Sequence, residues 1–320
     1  MDLNHHFRRL NDALSPAKRV LLVAHQKPDG DALGSSTSFH RWLVRQDKEV
    51  TLFCATAPGK SFNFLDGFLS FTQDPTVFDQ AYDAVIVFDS GDLSYAGVDK
   101  LIPRLPGKPQ MIVIDHHATN AKYGDLNIVI PTATSTSEIC YKFFTANDVL
   151  IDPAMATSLL TGILTDTFHF SNASTTSESV EIAGDLVGSG ARLNEITLGV
   201  VRNKHIPLLR LWGRAMSRLQ TNQELSVAST YLTVADFDEA GVTERSTDIL
   251  INFLNGICGG VDTLMVLNDL GNGTVKGSMR SVSRNVAAIA TSIGGGGHAK
   301  AAGFTVNGKI EVTDKGFKVI

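Results

Sequence analysis

The run His25-Gln-Lys-Pro-Asp29-Gly-Asp31-Ala-Leu-Gly34-Ser35 follows directly on an apolar segment at 20–24. It places an imidazole and two carboxylates at the end of an apolar strand, which is where open α/β sheets keep their chemistry. Three such groups cannot all be buried unpaired, because an isolated buried carboxylate is costly or shifts its pKa until it is neutral. A divalent cation resolves the conflict. Pro28 and Gly30 make the segment a turn, so His25, Asp29 and Asp31 can converge instead of pointing to alternating faces. The spacing then predicts a helix over 32–45 whose first turn holds Asp31 and whose free amides can receive an anion.

Working outward, Ala84-Val-Ile-Val-Phe-Asp89-Ser-Gly-Asp92 is a continuous apolar run ending in a carboxylate. Such a run suits a strand buried on both faces of a parallel sheet. Met111-Ile-Val-Ile-Asp115-His116-His117 repeats the grammar and delivers an Asp and two imidazoles. Adjacent residues on an extended tip point to opposite sides, so one histidine is expected among metal ligands and the other toward a substrate. Leu159-Leu-Thr-Gly-Ile-Leu-Thr-Asp166 is a helical apolar stretch that again ends in Asp. Singly, Asp89 and Asp166 also read as helix caps and the His pair as surface residues. Four such endings in one half of the chain point instead to a metal centre.

A further pattern lies near the C-terminus: Gly277-Ser278-Met-Arg280-Ser281, then Ile293-Gly294-Gly-Gly-Gly297-His298-Ala-Lys-Ala301-Ala302-Gly303. Together these segments resemble the DHH phosphoesterase family, with Asp115-His116-His117 as the name-giving triplet and the C-terminal pattern similar to its associated domain. The resemblance covers essentially the whole chain and is greatest to the branch of nanoRNases and 3′-phosphoadenosine 5′-phosphate phosphatases. It implies one metal site of His25, Asp29 and Asp89 and a second of Asp31, Asp89, His116 and Asp166, with Asp89 bridging. It further implies that His117 faces the scissile phosphate and that Asp115 orients an imidazole. Arg280, Ser278, Gly294, Gly295, Gly296, Gly297 and His298 are the implied substrate-binding residues. Four consecutive glycines expose their amides, which could line an anion nest, and Arg280 could grip a phosphate in bidentate fashion.

Hard carboxylates with two imidazoles and no thiolate favour two divalent cations of the Mn²⁺ or Mg²⁺ type, Mn²⁺ foremost. Such a pair would activate water, polarise the phosphoryl oxygens and offset charge on the leaving oxygen. The expected activity is hydrolysis of short oligoribonucleotides, removal of a nucleotide 3′-phosphate, or both. The alternatives are a manganese pyrophosphatase, a cyclic or linear dinucleotide phosphodiesterase, a RecJ-like single-strand exonuclease, and a non-catalytic nucleotide-binding module. The glycine-histidine cluster argues against the pyrophosphatase, and the lack of an extended basic or aromatic track argues against a reader of long strands. One departure concerns substrate choice: the family often has Gly after the Asp-Thr pair, whereas here Phe168 and His169 follow Thr167. The Phe168 ring either narrows the pocket, stacks on a base or packs into the core.

The fold class expected is α/β. Apolar segments at 20–24, 49–54, 84–88, 110–114 and 127–130 alternate with helical patterns, which gives a mainly parallel sheet flanked by helices over residues 1–190. A helical linker at 191–222 leads to a smaller α/β substrate-binding domain at 223–320, containing a strand near 225–232 and a hairpin over 263–280. Ser135-Thr-Ser-Glu138 and Thr175-Thr-Ser-Glu178 match capping boxes, and Leu3, Phe7, Leu10 and Leu14 repeat at the spacing of a docked amphipathic helix.

With 320 residues, 43% of them hydrophobic, the chain can fill two cores. A net charge of −5 gives no global attraction to nucleic acid. The expected partner is a short RNA or nucleotide, with a homodimer left open, and neither long duplex nucleic acid nor a membrane. Cys54, Cys140 and Cys258 are isolated and lack C-x-x-C spacing, which favours a cytoplasmic setting over a thiolate zinc site.

Overall fold

The computed structural model describes residues 3–172, 174–202, 204–243, 247–313 and 316–320. The chain divides into two compact units, Met1–Asn203 and Lys204–Ile320.

The first unit is built on a six-stranded parallel sheet in the order β3-β2-β1-β4-β5-β6. Its strands are β1 (Arg19–Ala24), β2 (Glu49–Cys54), the two-residue β3 (Phe71–Thr72), β4 (Ala84–Phe88), β5 (Gln110–Asp115) and β6 (Leu126–Val129). β1 and β4 are neighbours, with Ala24 beside Phe88, so the turn after β1 and the turn after β4 open at the same sheet edge. All five residues of β4 are buried, as expected of a strand covered on both faces.

Helices α1 (Leu3–Leu14), α2 (Gly30–Val44), α3 (Leu93–Ala96), α4 (Thr136–Ala146), α5 (Pro153–Asp166), α6 (Ser177–Gly188) and α7 (Leu193–Val200) complete the unit. One face of the sheet packs on α1, α2, α4 and α5 through Phe39, Phe88, Phe143, Phe144 and Leu159, and α1 buries Phe7, Leu10 and Leu14 there. A smaller cluster around Phe53, Phe78 and Val87 covers the other face.

The approach of α2 to α5 depends on small residues. Ser35, Ser36, Thr37 and Ser38 are buried, and their hydroxyls donate to carbonyls of their own helix or, for Thr37, also to Ser158 Oγ at 2.9 Å. A Cβ on Gly34 would collide with the Ser158 carbonyl oxygen, so glycine sets how closely the two helices pack. Ser135 caps α4 by accepting from Glu138 N at 3.0 Å, but the Glu138 carboxylate accepts from Thr134 N and Oγ1 instead of closing the expected box. The second box begins one residue late: Thr176 caps α6 and Ser179 is its reciprocal partner.

The stretch at 191–222 is divided between the units. α7 buries Ile196 in the first core, whereas α8 (Ile206–Ser217) buries Leu211, Trp212 and Ala215 in the second. The second unit carries a mixed sheet in the order β11-β12-β10-β9-β8-β7, where only β8 and β9 run parallel. Its strands are β7 (Gln220–Asn222), β8 (Val227–Leu232), β9 (Thr263–Asp269), β10 (Thr274–Ser281), β11 (Gly296–His298) and β12 (Ala301–Asn307). Helices α9 (Val234–Ala240), α10 (Asp248–Ile257) and α11 (Val286–Ser292) and the hairpin β13 (Ile310–Thr313) to β14 (Gly316–Val319) finish it.

Candidate metal centre

Five elements of the first unit, β1, α2, β4, β5 and α5, deliver acidic and imidazole side chains to one place. Three groups have ligand atoms within 4.8 Å of one another: His25, Asp29 and Asp89; Asp31, His116 and Asp166; and Asp89, His116 and His117. The first group has the residues of one expected metal set, and the second has three of the four residues of the other, Asp89 being absent from it. Asp89 joins them, because Oδ2 lies 3.6 Å from His25 Nε2 and Oδ1 lies 3.6 Å from His116 Nε2.

Each group is held from behind. Asp29 caps α2, its Oδ1 accepting from Asp31 N at 3.0 Å and Ala32 N at 3.1 Å, and its side chain remains 57% exposed. Asp31 in the first turn of α2 is fully buried and accepts from the first amides of α4, Thr136 N at 2.6 Å and Ser137 N at 2.8 Å. Asp89 follows β4 with a left-handed backbone, φ 54°, a conformation that short polar side chains tolerate and that recurs at functional sites. Thr136 Oγ1 donates to its Oδ1 at 3.0 Å. His25 Nδ1 lies 2.8 Å from the Gln26 carbonyl, an acceptor, which directs Nε2 toward Asp29 and Asp89. Asp166 is the last residue of α5, with Oδ2 3.4 Å from His116 Nε2.

Asp115 is the centre of a separate network. Its Oδ1 accepts from His116 N at 2.8 Å, His117 N at 3.2 Å and His117 Nδ1 at 2.7 Å, while Oδ2 accepts from Asn120 Nδ2 at 2.6 Å. The imidazole it orients is therefore His117. The expectation that the two histidines point to opposite sides does not hold: both rings approach Asp89, with centroids 4.6 Å apart. The reason is local, since Asp115 draws both following amides onto one oxygen and turns the chain where an extended tip was expected.

The electrostatics are those of a cation site. Asp31 is pushed up to about 7 by burial and by the charge of Asp89. Asp166 is pushed well above its ordinary value by burial and by the charges of Asp31 and Asp89. Burial would lower His25, but the hydrogen bonds and charges of Asp29 and Asp89 outweigh it and hold the imidazolium up to about 12. Among the described residues, no Lys or Arg is paired with Asp31, Asp89 or Asp166. Carboxylates without a Lys or Arg partner, interleaved with imidazoles and free of thiolates, fit hard divalent cations.

The C-terminal candidates lie in the second unit. Arg280 Nε donates to Asn252 Oδ1 at 2.9 Å and Nη1 to the Met279 carbonyl at 2.9 Å, and Ser278 is buried on the same strand. The glycine run is not one continuous nest. The amides of Gly294 and Gly295 donate to the carbonyls of Thr291 and Ala290, and Gly296 and Gly297 pair with Gly303 and Ala302 in the sheet. Close packing explains two of the four glycines: a Cβ on Gly295 would sit 2.7 Å from Phe304 Cα, and one on Gly297 2.6 Å from the Ala301 carbonyl oxygen. The side chain of His298 lies outside the described residues.

Phe168 is half-buried and belongs to no hydrophobic cluster among the described residues, whereas Phe170 packs on the main core. Residues 168–170 all have left-handed backbones. Sequence reasoning passed over Asn120 and the Thr136 hydroxyl. Thr136 lies within the capping-box stretch, and its role depends on a partner 47 residues away.

A parallel sheet with clustered Asp and His at its strand ends, followed by a mixed-sheet domain, defines the class. Residues 19–163 match the DHH family, N-terminal domain, and residues 225–316 match the DHHA1 domain; the chain belongs to the DHH family of phosphoester hydrolases. It is 31% identical, over 90% of its length and 84% of the relative's, to the bifunctional oligoribonuclease and PAP phosphatase NrnA of Thermus thermophilus. The protein of the same name from Bacillus subtilis is 23% identical over 90% of this chain and 89% of its own. The fold is shared with the crystal structure of an exopolyphosphatase-related protein from Bacteroides fragilis, with a TM-score of 0.86, 23% identity, and coverage of 94% of this chain and 90% of that one.

Proposed function

We propose that this hydrolase cleaves short oligoribonucleotides and removes the 3′-phosphate of 3′-phosphoadenosine 5′-phosphate, using two divalent cations, Mn²⁺ foremost. The observation that carries the reading is the position of Asp89 between two three-residue donor sets. The names of the Thermus and Bacillus relatives support the substrate class.

In this reading His25, Asp29 and Asp89 hold one cation and Asp31, Asp89, His116 and Asp166 the other. When bound, such cations supply Lewis-acid polarisation of phosphoryl oxygens and activation of water. The chain's own contribution is positioning and proton control. His117 Nδ1 donates to Asp115 Oδ1, which keeps the ring orientation. Burial would lower the His117 pKa, but the Asp115 hydrogen bond and the charge of Asp89 raise it, which favours the protonated ring that a general acid toward the leaving oxygen requires. Asn120 and the two amides on Asp115 keep that carboxylate from rotating away. In the second unit, Arg280 and Ser278, neighbours on β10, are the residues proposed to hold the non-scissile phosphate or ribose.

The test is turnover with Mn²⁺ of labelled RNAs from two to about ten nucleotides, 3′-phosphoadenosine 5′-phosphate, pyrophosphate and a cyclic dinucleotide. Asp89→Asn should abolish turnover while leaving the fold intact, and Arg280→Ala should act mainly on KM for the shortest RNAs. Preference for pyrophosphate would overturn the substrate assignment, and full activity in Asp89→Asn would overturn the shared-ligand assignment.

A further inference from the structure

Tyr95 is not used by the chemistry above, yet its ring lies against a proposed metal ligand. Its centroid is 5.0 Å from that of His25, with the planes tilted by 36°. His25 is buried, whereas Tyr95 is 50% exposed, so the tyrosine covers the imidazole and keeps much of its own surface open. Within α3, its neighbours Leu93 and Ala96 join the core under the sheet while Tyr95 belongs to no apolar cluster. The phenol makes no hydrogen bond among the described residues. A large ring left open beside a polar cluster is an unusual use of a residue that contributes most when its body is buried and its hydroxyl paired.

The backbone beneath the ring is anchored. Asp92 Oδ1 accepts from Tyr95 N at 2.8 Å, and Ser90 Oγ donates to the Asp92 carbonyl at 2.7 Å, only one residue after Asp89. Gly97 ends the helix with φ 75°, where a Cβ would lie 2.9 Å from Ala55 Cβ. Tyr95 is thus a flat, half-open surface at a set place beside the His25 and Asp89 pair.

We propose that Tyr95 is a substrate-contact residue, the platform on which a nucleobase stacks when its phosphate lies at the metal centre. The proposal deepens the phosphohydrolase reading and rests on it. Stacking on an aromatic ring is tolerant of base identity because every base has a π-face. Tyr95 therefore separates nucleotides from baseless phosphates without reading sequence. The competing account is a lid that only shields His25, and it predicts equal effects on every substrate.

The experiment compares the full-length wild type, Tyr95→Leu and Tyr95→Phe with Mn²⁺, using a ribodinucleotide, the corresponding abasic phosphodiester and pyrophosphate. Mn²⁺ affinity is measured separately by calorimetry. Tyr95→Leu should raise KM for the dinucleotide about tenfold, and the rise for the abasic ester should be smaller by about fivefold, as expected for one lost stack. Tyr95→Phe keeps the ring and should restore the dinucleotide KM. An equal loss on all substrates, no loss on any, or a fall in Mn²⁺ affinity that accounts for the loss would overturn the platform. Wild-type protein that turned over pyrophosphate but no nucleotide would sink the underlying reading and the platform together, a result distinct from these.

Discussion

Gly162 tests whether the packing of α2 on α5 sets the metal centre. It is an interior residue of α5, and a Cβ there would collide with Ser137 Oγ and lie 2.6 Å from Asp31 Oδ1. Two effects of Gly162→Ala oppose each other. Alanine gains about 1 kcal/mol over glycine in a helix interior. Inserting a methyl into a packed interface costs about 1–3 kcal/mol. If α5 simply moves away, the net destabilisation is about 0–2 kcal/mol. If instead Asp31 gives up one of the α4 amides it accepts from, a charge-assisted bond worth about 1.5–3 kcal/mol goes too, and the total reaches about 1.5–5 kcal/mol. Mn²⁺ affinity should then fall by about tenfold to a hundredfold, the usual effect of disturbing a group that positions a metal ligand.

Gly184 in α6 is the control, since nothing lies within 4 Å of a Cβ built there; Gly184→Ala should stabilise by up to about 1 kcal/mol. The assay is urea unfolding followed by Trp42 fluorescence in a Trp212→Phe background, so that the signal comes from the first unit alone, with Mn²⁺ binding by calorimetry alongside. Gly162→Ala protein that matched the Gly184→Ala gain and kept its Mn²⁺ affinity would refute the reasoning, because it would show that Asp31 does not depend on that contact.

Asp115→Asn removes the negative charge that raises the His117 pKa and should lower kcat by about a hundred- to ten-thousandfold, with Mn²⁺ affinity retained; steady-state kinetics with calorimetry separates the two. Metal binding should release protons, because metal-free His25 is held up to about 12 and Asp31 up to about 7, so affinity rises as pH increases; titrations in buffers of different ionisation heat count the protons. In the second unit, burial would raise the Asp236 pKa, but the bidentate pair with Arg218 and the Thr233 hydrogen bonds hold it well below the carboxylate range. A lowered folded-state pKa contributes stability that is present above about pH 4 and lost as pH falls toward the folded value. Acid unfolding followed by Trp212 should accordingly flatten in Asp236→Asn, and an unchanged acid limb would count against the pair.

Much of this architecture is legible in the sequence because burial on two faces writes itself as unbroken apolar runs: residues 84–88 and 110–114 mark two central strands, and the Asp that ends each run marks its tip. The ligand types are legible for the same reason, since a carboxylate after such a run has no other ready partner. What stays hidden depends on distance in space. Asp31 meets the amides of Thr136 and Ser137 across 105 and 106 residues, and no local pattern announces that pairing. Local geometry misleads once as well: the glycines at 294–297 read as exposed amides, whereas two of those amides are spent on α11 carbonyls and the missing side chains make room for β12 and Phe304.

The same hydrogen bonds explain why the donors can converge at all. Asp31, Asp89 and His116 would repel or collapse onto one another if they were held only by their own backbones. Asp31 is instead held at both oxygens by the amides that open α4, and the next hydroxyl along, Thr136 Oγ1, reaches Asp89. The first turn of one helix thus holds two of the carboxylates, Asp31 through its amides and Asp89 through a hydroxyl. That arrangement couples the sets: Thr136→Val removes the Asp89 bond but leaves the Asp31 amide in place, so it should weaken both cation sites through Asp89 and leave the α4 cap intact. Removing Ser135, the cap itself, should loosen Asp31 first. If calorimetry resolved two Mn²⁺ sites and Thr136→Val changed only one, Asp89 would not be the shared ligand that its position between the two histidines indicates.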